Sequence, residues 1–399
     1  MLKAFEYRIY PTAEQKEQIA KHIGCARWMY NYALEKKMKA WTKDKKSLSR
    51  FDIQADLPAL KKAEDTKWLK EVNSQSLQAS LEHLDRAYTK FFKEKKGFPK
   101  FKNKHKSKQS FSIPQHTDVN FEKCLLLVPK MKPIEIRLHR EFKGKIKTIT
   151  IKKISTNKYF ASILVETKDL VKKSKTIKAN TAIGLDLGIK DFAVLSTGEK
   201  ISNPKILKQY EHKLKKAQQK VSKRAKGGKN REKAKLGVAK VHEKITNTRK
   251  DFLHKLSHKL THENQVNSIV IEDLNVSGMI KNHKLAKSIS DCSWSEFVRQ
   301  LEYKSKWYGK NLIKIGRFEP SSKLCSDCGA INQELTLKDR EWACKSCGII
   351  HDRDINAAIN IKNIGLKTIP MERRKLTLGE NRGSNLIRLT QEAFAFRQG

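Results

Sequence analysis

No stretch of this 399-residue sequence approaches the roughly 20 apolar residues that a bilayer-spanning helix requires. The opening residues, MLKAFEYRIYPTAEQ, alternate apolar and polar side chains and lack the apolar core of a secretory signal. No membrane partner is expected, and the expected location is cytoplasmic. Acidic residues are scarce beside basic ones: 42 Asp and Glu face 85 Lys and Arg, a formal charge of +43. Cysteines are few and odd in number, seven, which argues against a secreted disulfide framework and suits metal ligation in a reducing compartment. The run GLDLG at 184–188 lacks the spacing and the lysine of a phosphate-binding loop. No histidine- or serine-based catalytic constellation stands out.

What is present fits a large folded protein. Hydrophobic residues make up 38% of the chain, enough for real cores, and the length predicts two to four units. A stable fold does not need a charge of +43, because self-repulsion opposes compaction. Its natural counterion is a polyanion, so nucleic acid is the leading partner.

In chain order, residues 4–10 alternate like a short strand, and Thr12 with Gln15 forms a capping box ahead of a helix. A second helical region covers about 49–70, and a third starts at Asn73 or Ser74, so 11–95 read as a small helical unit. In the segment 93–109, Gly97 and Pro99 break the helix and lysines alternate with Phe98 and Phe101. That mixture suits a nucleic-acid backbone with a stacked base, and it equally suits a solvated linker. Short β-branched segments over 110–168 predict an all-β unit, which the first strand can join. From Asn180 the pattern is α/β. Residues 204–265 are mostly helical, and 211–250 carry 15 Lys or Arg against Glu211, Glu232 and Glu243. Intrahelical pairing cannot absorb that imbalance, so phosphate contact is favoured. Ser293 and Glu296 read as a capping box for a helix over 293–309, and a last helix spans 353–364.

Two constellations carry chemistry. Cys325, Cys328, Cys344 and Cys347 form C-x2-C-x15-C-x2-C, the spacing of a tetrahedral four-cysteine zinc site. With no ligand position left open, one Zn2+ there is structural. Cys25, Cys124 and Cys292 read as ordinary buried thiols. The second constellation is three acids at element ends: Asp186 in an apolar strand, Glu272 closing a strand, and Asp354 heading the last helix. An isolated carboxylate in AIGLDLG is costly to bury. The element order is that in which a ribonuclease-H-like fold gathers distant acids at one sheet edge. Two Mg2+ or Mn2+ ions suit such an all-oxygen site.

The stretches RIYPTAEQ (8–15), KGFPKFK (96–102), GLDLGIKDFAVLS (184–196), IEDLNVSGM (271–279), SISDCSWSEFVRQLEYKSKWYG (288–309), SSKLCSDCG (321–329) and CKSCGIIHDRDINAAINI (344–361) run in one family's order. In them the chain resembles the TnpB (OrfB) proteins of insertion-sequence transposons, similar to the compact ancestors of type V CRISPR nucleases. The resemblance implies an RNA-guided DNA endonuclease of a prokaryotic cell, associated with the nucleoid when bound to DNA. Its guide RNA comes from the transposon end, and it cuts double-stranded target DNA beside a short motif. A RuvC-like site of one Asp, one Glu and one Asp falls on Asp186, Glu272 and Asp354, with Asp352 the second choice for the third acid. Gln75 and Gln78, with Lys100 and Lys102, are candidate nucleic-acid contacts. A monomer is favoured.

The implied fold is multidomain. A β-barrel, wedge-like domain takes 1–10 and 110–178, and a helical recognition domain with its basic linker takes 11–109. A RuvC/ribonuclease-H-like α/β nuclease domain takes 179–319 and 350–366, with a four-cysteine zinc ribbon inserted at 320–349. The tail, 367–399, carries no readable pattern, which leaves disorder open. Two alternatives stand beside cleavage: a guided DNA binder that does not cut, and a transposase that joins strands.

Overall fold

The computed structural model describes residues 1–368 apart from Val171, Phe318 and Leu337. Residues 369–399 of the expected tail lie outside the described residues. The chain divides between Leu170 and Val171 into two compact units. Among the described residues, no helix is long and apolar enough to cross a membrane.

The first unit begins with strand β1, Leu2–Tyr10. Thr12 and Gln15 then cap helix α1, Ala13–Asp44, each side chain bonding the other's backbone N–H. The helical region expected at about 49–70 is broken. It forms α2 (Arg50–Gln54), α3 (Leu57–Lys62) and a 3-10 turn, Glu64–Glu71. Pro58 explains part of the break, since proline opens a helix but cannot continue one. Ala63, extended at ψ 135°, separates α3 from the turn. Asn73 caps α4, Ser74–Glu94.

Seven strands share one antiparallel sheet: β1, β2 (Gln109–Ile113), β3 (Asp118–Asn120), β4 (Leu125–Leu127), β5 (Ile134–Arg137), β6 (Lys145–Lys153) and β7 (Tyr159–Glu166). Their order is β2-β6-β7-β1-β5-β4-β3, so β1 lies between β7 and β5. Alternate residues of all seven strands, from Tyr7 and Ile9 to Phe111, Val119 and Ile163, meet in one core, so the sheet curls around it. Ile19, Ile23 and Ala26 of α1 enter that same core, whereas Met29, Ala33 and Leu34 pack with Leu77, Leu81 and Leu84 of α4. One long helix therefore serves both parts of the unit. Cys124 is exposed rather than buried, because it takes the left-handed position, φ 52°, of the turn before β4.

The second unit is built on a five-stranded sheet: β8 (Ala182–Asp186), β9 (Asp191–Leu195), β10 (Lys200–Ser202), β11 (Ser268–Glu272) and β12 (Asn311–Ile315). The order is β10-β9-β8-β11-β12, antiparallel from β8 to β10 and parallel from β8 to β12. Between β10 and β11 run α5 (Ile206–Ser222) and α6 (Lys229–His258). Between β11 and β12 run α7 (Val276–Met279), α8 (Ala286–Cys292) and α9 (Trp294–Tyr308). A small hairpin, β13 (Glu341–Ala343) and β14 (Ile350–Asp352), precedes α10 (Arg353–Lys367). Ile269 and Ile271 of β11 face Leu253, Leu256 and Phe297 from α6 and α9, and Val270 faces Ile361 of α10. Helices therefore cover both faces, which accounts for the near-continuous apolar strands.

Two expectations are corrected here. Ser293 makes no capping box: it is left-handed, φ 55°, and Glu296 instead binds Arg299 and Gln300. Residues past Leu170, expected with the β unit up to 178, run with the second unit, where Lys175 bonds Gly309 and Asn311.

Candidate active site and four-cysteine cluster

The two C-x-x-C turns are alike. Gly329 N–H donates to Cys325 O at 3.0 Å, and Gly348 N–H to Cys344 O at 2.8 Å. Both glycines are left-handed, φ 77° and 75°, which side-chain-bearing residues adopt at a cost. The turns bring all four sulfurs within 4.8 Å of one another, with Cys325–Cys347 at 3.7 Å and Cys328–Cys344 at 3.6 Å. A tetrahedral ion with bonds of about 2.3 Å to sulfur needs ligands about 3.8 Å apart, so this cluster can hold one zinc. The N–H groups of Cys347 and Ser346 pull the Cys344 thiol down, toward the thiolate a metal requires, whereas at Cys347 the Ile349 N–H is outweighed by burial and the neighbouring sulfurs, which push that thiol up. Leu335 and Trp342 form a small core with Cys325 and Cys344. His351 adds its Nε2 at 3.0 Å from Cys325 Sγ.

The three acids come from distant segments and meet at one end of the five-stranded sheet. β8 and β11 are parallel neighbours with Leu185 opposite Ile271, so the next step of the register sets Asp186 beside Glu272. Asp354 comes from the first turn of α10, which lies backbone to backbone on β8. A Cβ on Gly184 would stand 2.0 Å from Ala358 O, and one on Gly365 would stand 2.3 Å from a Val270 methyl. The first glycine of GLDLG thus serves helix seating. Burial raises the Asp186 carboxyl to about 7, helped by the charges of Glu272 and then Asp354 and opposed by Arg353.

The acids are not a closed cage. Their oxygens do not all converge within 4.8 Å, as the sulfurs do. Asp354 is drawn to Arg353 at 3.0 Å and Arg340 at 3.4 Å. Glu272 Oε1 accepts a hydrogen bond from Ser321 Oγ at 2.6 Å. Asp352 has other work: its Oδ1 accepts from the N–H groups of Asp354 and Ile355, capping α10, and its Oδ2 binds Lys200. Although burial opposes it, the Lys200 bond leads the groups that hold the Asp352 carboxyl below its ordinary value.

Other candidates fall elsewhere. The Gln75 amide is tied to Gln115, through its Oε1 at 3.1 Å and Nε2 at 3.3 Å, and Gln78 is half-buried on α4. Lys100 is exposed. Lys102 turns inward. Its ammonium lies 3.8 Å from the Tyr30 ring centre, Asn31 clamps its backbone, and burial lowers it to about 8. Phe98 and Phe101 of the same basic segment stay exposed, as does Phe92 near the end of α4.

Ser321, Arg340, Arg353, Asn356 and Asn360 escaped sequence reasoning. Only the asparagines carried a signal. Two amides four residues apart within INAAINI lie on a helix face that is otherwise apolar, and both are buried, at 1% and 2% exposure.

Known proteins align with this architecture throughout. A family model described as "Probable transposase" (OrfB_IS605) matches residues 162–283, one described as "Cas12f1-like, TNB domain" matches 294–361, and one described as "Helix-turn-helix domain" matches 1–46. Over most of 1–46 the structure holds one strand and one long helix. A Streptomyces pristinaespiralis protein named "Putative RNA-guided DNA endonuclease" is 42% identical, over 91% of this chain and 89% of its own length. The Escherichia coli K12 protein named "Putative RNA-guided DNA endonuclease InsQ" is 30% identical, over 91% and 92%. Among solved structures, a Cas12f1–sgRNA–target DNA complex shares the fold at TM-score 0.56 and 16% identity, covering 91% of this chain and 99% of that one. At 42% identity across nearly the whole of both chains, the protein belongs to the TnpB (OrfB) family of insertion-sequence transposons.

Proposed function

We propose that this protein is an RNA-guided DNA endonuclease that takes its guide from the transposon end and cuts target DNA beside a short motif. The observation that carries the reading is the gathering of Asp186, Glu272 and Asp354 at one sheet edge, with a proton held on Asp186 near neutrality. Acids forced together repel one another, and that repulsion is relieved by cations. Asp186, Glu272 and Asp354 are the groups assigned to hold them; Asp352 is spent as the α10 cap. Bound there, two Mg2+ or Mn2+ ions supply activation of the attacking water and charge for the leaving oxygen.

The chain's own residues do the rest. Asp186 gives up its proton as the cluster fills. Arg340, now paired with Asp354 at 3.4 Å, can turn to a phosphate once the cluster fills. Exposed lysines of α5 and α6 suit the backbones of a guide–target duplex, and Phe92, Phe98 and Phe101 suit unpaired bases. In this assignment the curled sheet is the wedge-like domain and α1–α4 the recognition domain. The five-stranded sheet is the ribonuclease-H-like nuclease, with residues 320–349 its zinc ribbon. The relatives' names support guided cleavage.

The test is purification of the protein with its RNA, sequencing of that RNA, and challenge of a plasmid library with Mg2+. Guided cuts are expected from wild type and none from Asp186→Ala or Glu272→Ala. Variants that cut as well as wild type would overturn the site. The description "Probable transposase" keeps strand transfer as a second reading. Joined donor ends in the same reaction would favour it.

A further inference from the structure

Resting on the acid-cluster reading above, we infer that Ser321 is a positioning residue for Glu272, delivered to it by the buried asparagines of α10. Glu272 ends β11, and its side chain has three torsions to fix before it can serve as a ligand. Ser321 is 6% exposed and donates its hydroxyl to Glu272 Oε1 at 2.6 Å. A donor to the ionised form both stabilises the carboxylate and selects one rotamer. Glu272 Oε2 takes no hydrogen bond among the described residues and is left for a cation.

Ser321 is itself held. Asn360 Nδ2 donates to Ser321 O at 2.8 Å and to Leu324 O at 2.6 Å. Asn356 donates to Leu324 O at 2.7 Å and accepts from Ser326 N–H at 2.9 Å. The two amides grip the segment leading into Cys325, and they belong to the helix that carries Asp354. That helix is seated on β8, which carries Asp186, at Gly184. One continuous path, Asp354 helix to Asn360 to Ser321 to Glu272, sets the acids relative to one another. The cysteine turn is joined to the same path, four residues from Ser321.

A hydroxyl that only fills space and one that orients a ligand are separated by Ser321→Thr and Ser321→Val, which share a shape and differ in the donor. The full chain with its copurified RNA is titrated with Mn2+, and free Mn2+ is read by its electron paramagnetic resonance signal, which needs no cleavage. Zinc content and melting are measured alongside. Ser321→Val is expected to bind Mn2+ roughly 10-fold more weakly than Ser321→Thr, with equal zinc and equal RNA affinity. Its cleavage should require correspondingly more Mg2+. Equal Mn2+ affinity in the two variants overturns the inference. Asp186→Asn separates this failure from a deeper one. If Mn2+ binding survives Asp186→Asn, the acid-cluster reading falls and Ser321's role with it. If binding is lost there but equal in the Thr and Val variants, only the Ser321 role falls.

Discussion

Adding one methyl group at Gly184 should disable cleavage without touching any acid. A Cβ there would lie 2.0 Å from the carbonyl oxygen of Ala358 and 2.8 Å from Lys362 N, both backbone atoms of α10. An ordinary contact begins at 3.4 Å, so strand and helix must part by about 1.4 Å. β8 is held on both sides by β9 and β11, so α10 is the element that gives. Asp354 rides on its first turn and moves with it. A reacting group misplaced by about 1 Å costs on the order of 100-fold in rate. Overpacking of this kind costs about 1–3 kcal/mol, or roughly 2–12 °C in melting for a domain of this size. Gly184 does not have a left-handed backbone, so alanine adds no torsional strain that would confound the result. Gly237, within α6 and with nothing within 4 Å of its added Cβ, is the control. Alanine there should stabilise by about 0.8–1 kcal/mol through helix propensity. Melting curves and plasmid cleavage, with guide-RNA affinity measured in parallel, decide the matter. A Gly184→Ala protein that melts and cuts like wild type would refute the seating of α10 as the device that sets Asp354.

Without added divalent cations, the raised Asp186 carboxyl should make the folded protein lose stability as pH climbs from about 4 toward about 7. The folded state keeps a proton there that the unfolded state has released, and Asp186→Asn removes this contribution; parallel stability–pH curves for the two proteins would contradict it. Cys325→Ser should lower zinc content, melting temperature and cleavage together, whereas Asp354→Ala should abolish cleavage with zinc and RNA affinity intact. A Cys325→Ser protein that keeps its zinc and cuts normally would break that division of labour. Phe92 is 72% exposed and packs at the surface against Phe91 and Tyr88, so Phe92→Ala should lower melting slightly at most. It should weaken RNA binding by about 1–3 kcal/mol, as loss of one stacked base would; unchanged affinity would exclude this surface from RNA contact.

The features legible in the sequence were those written by local spacing. Thr12 and Gln15 announce α1, two C-x-x-C pairs announce a four-sulfur cluster, and β-branched runs announce strands. Asp186 could be singled out because a carboxylate in an apolar strand needs a reason. What stayed hidden depends on tertiary partners. Ser321 and Glu272 are joined by one hydrogen bond across 49 residues, and nothing near either residue signals the other. Arg340 reaches Asp354 only because the β13–β14 hairpin returns it there. Lys102 looks like a phosphate contact in KGFPKFK, yet Tyr30 and Asn31 of α1 turn it inward. Ser293 has the composition of a cap and the backbone of a left-handed corner, because α8 ends on it before α9 begins.

The place of β1 also bears on how the protein is made. Leu2–Tyr10 leaves the ribosome well before its partners on either side, Glu135–Arg137 and Tyr159–Glu166. At about 5–20 residues per second, the second set arrives roughly 8–30 s later. Until then a strand containing Phe5, Tyr7 and Ile9 keeps the edge that β7 will cover open. Slowing elongation before residue 166 should therefore raise aggregation without any loss of folded-state stability.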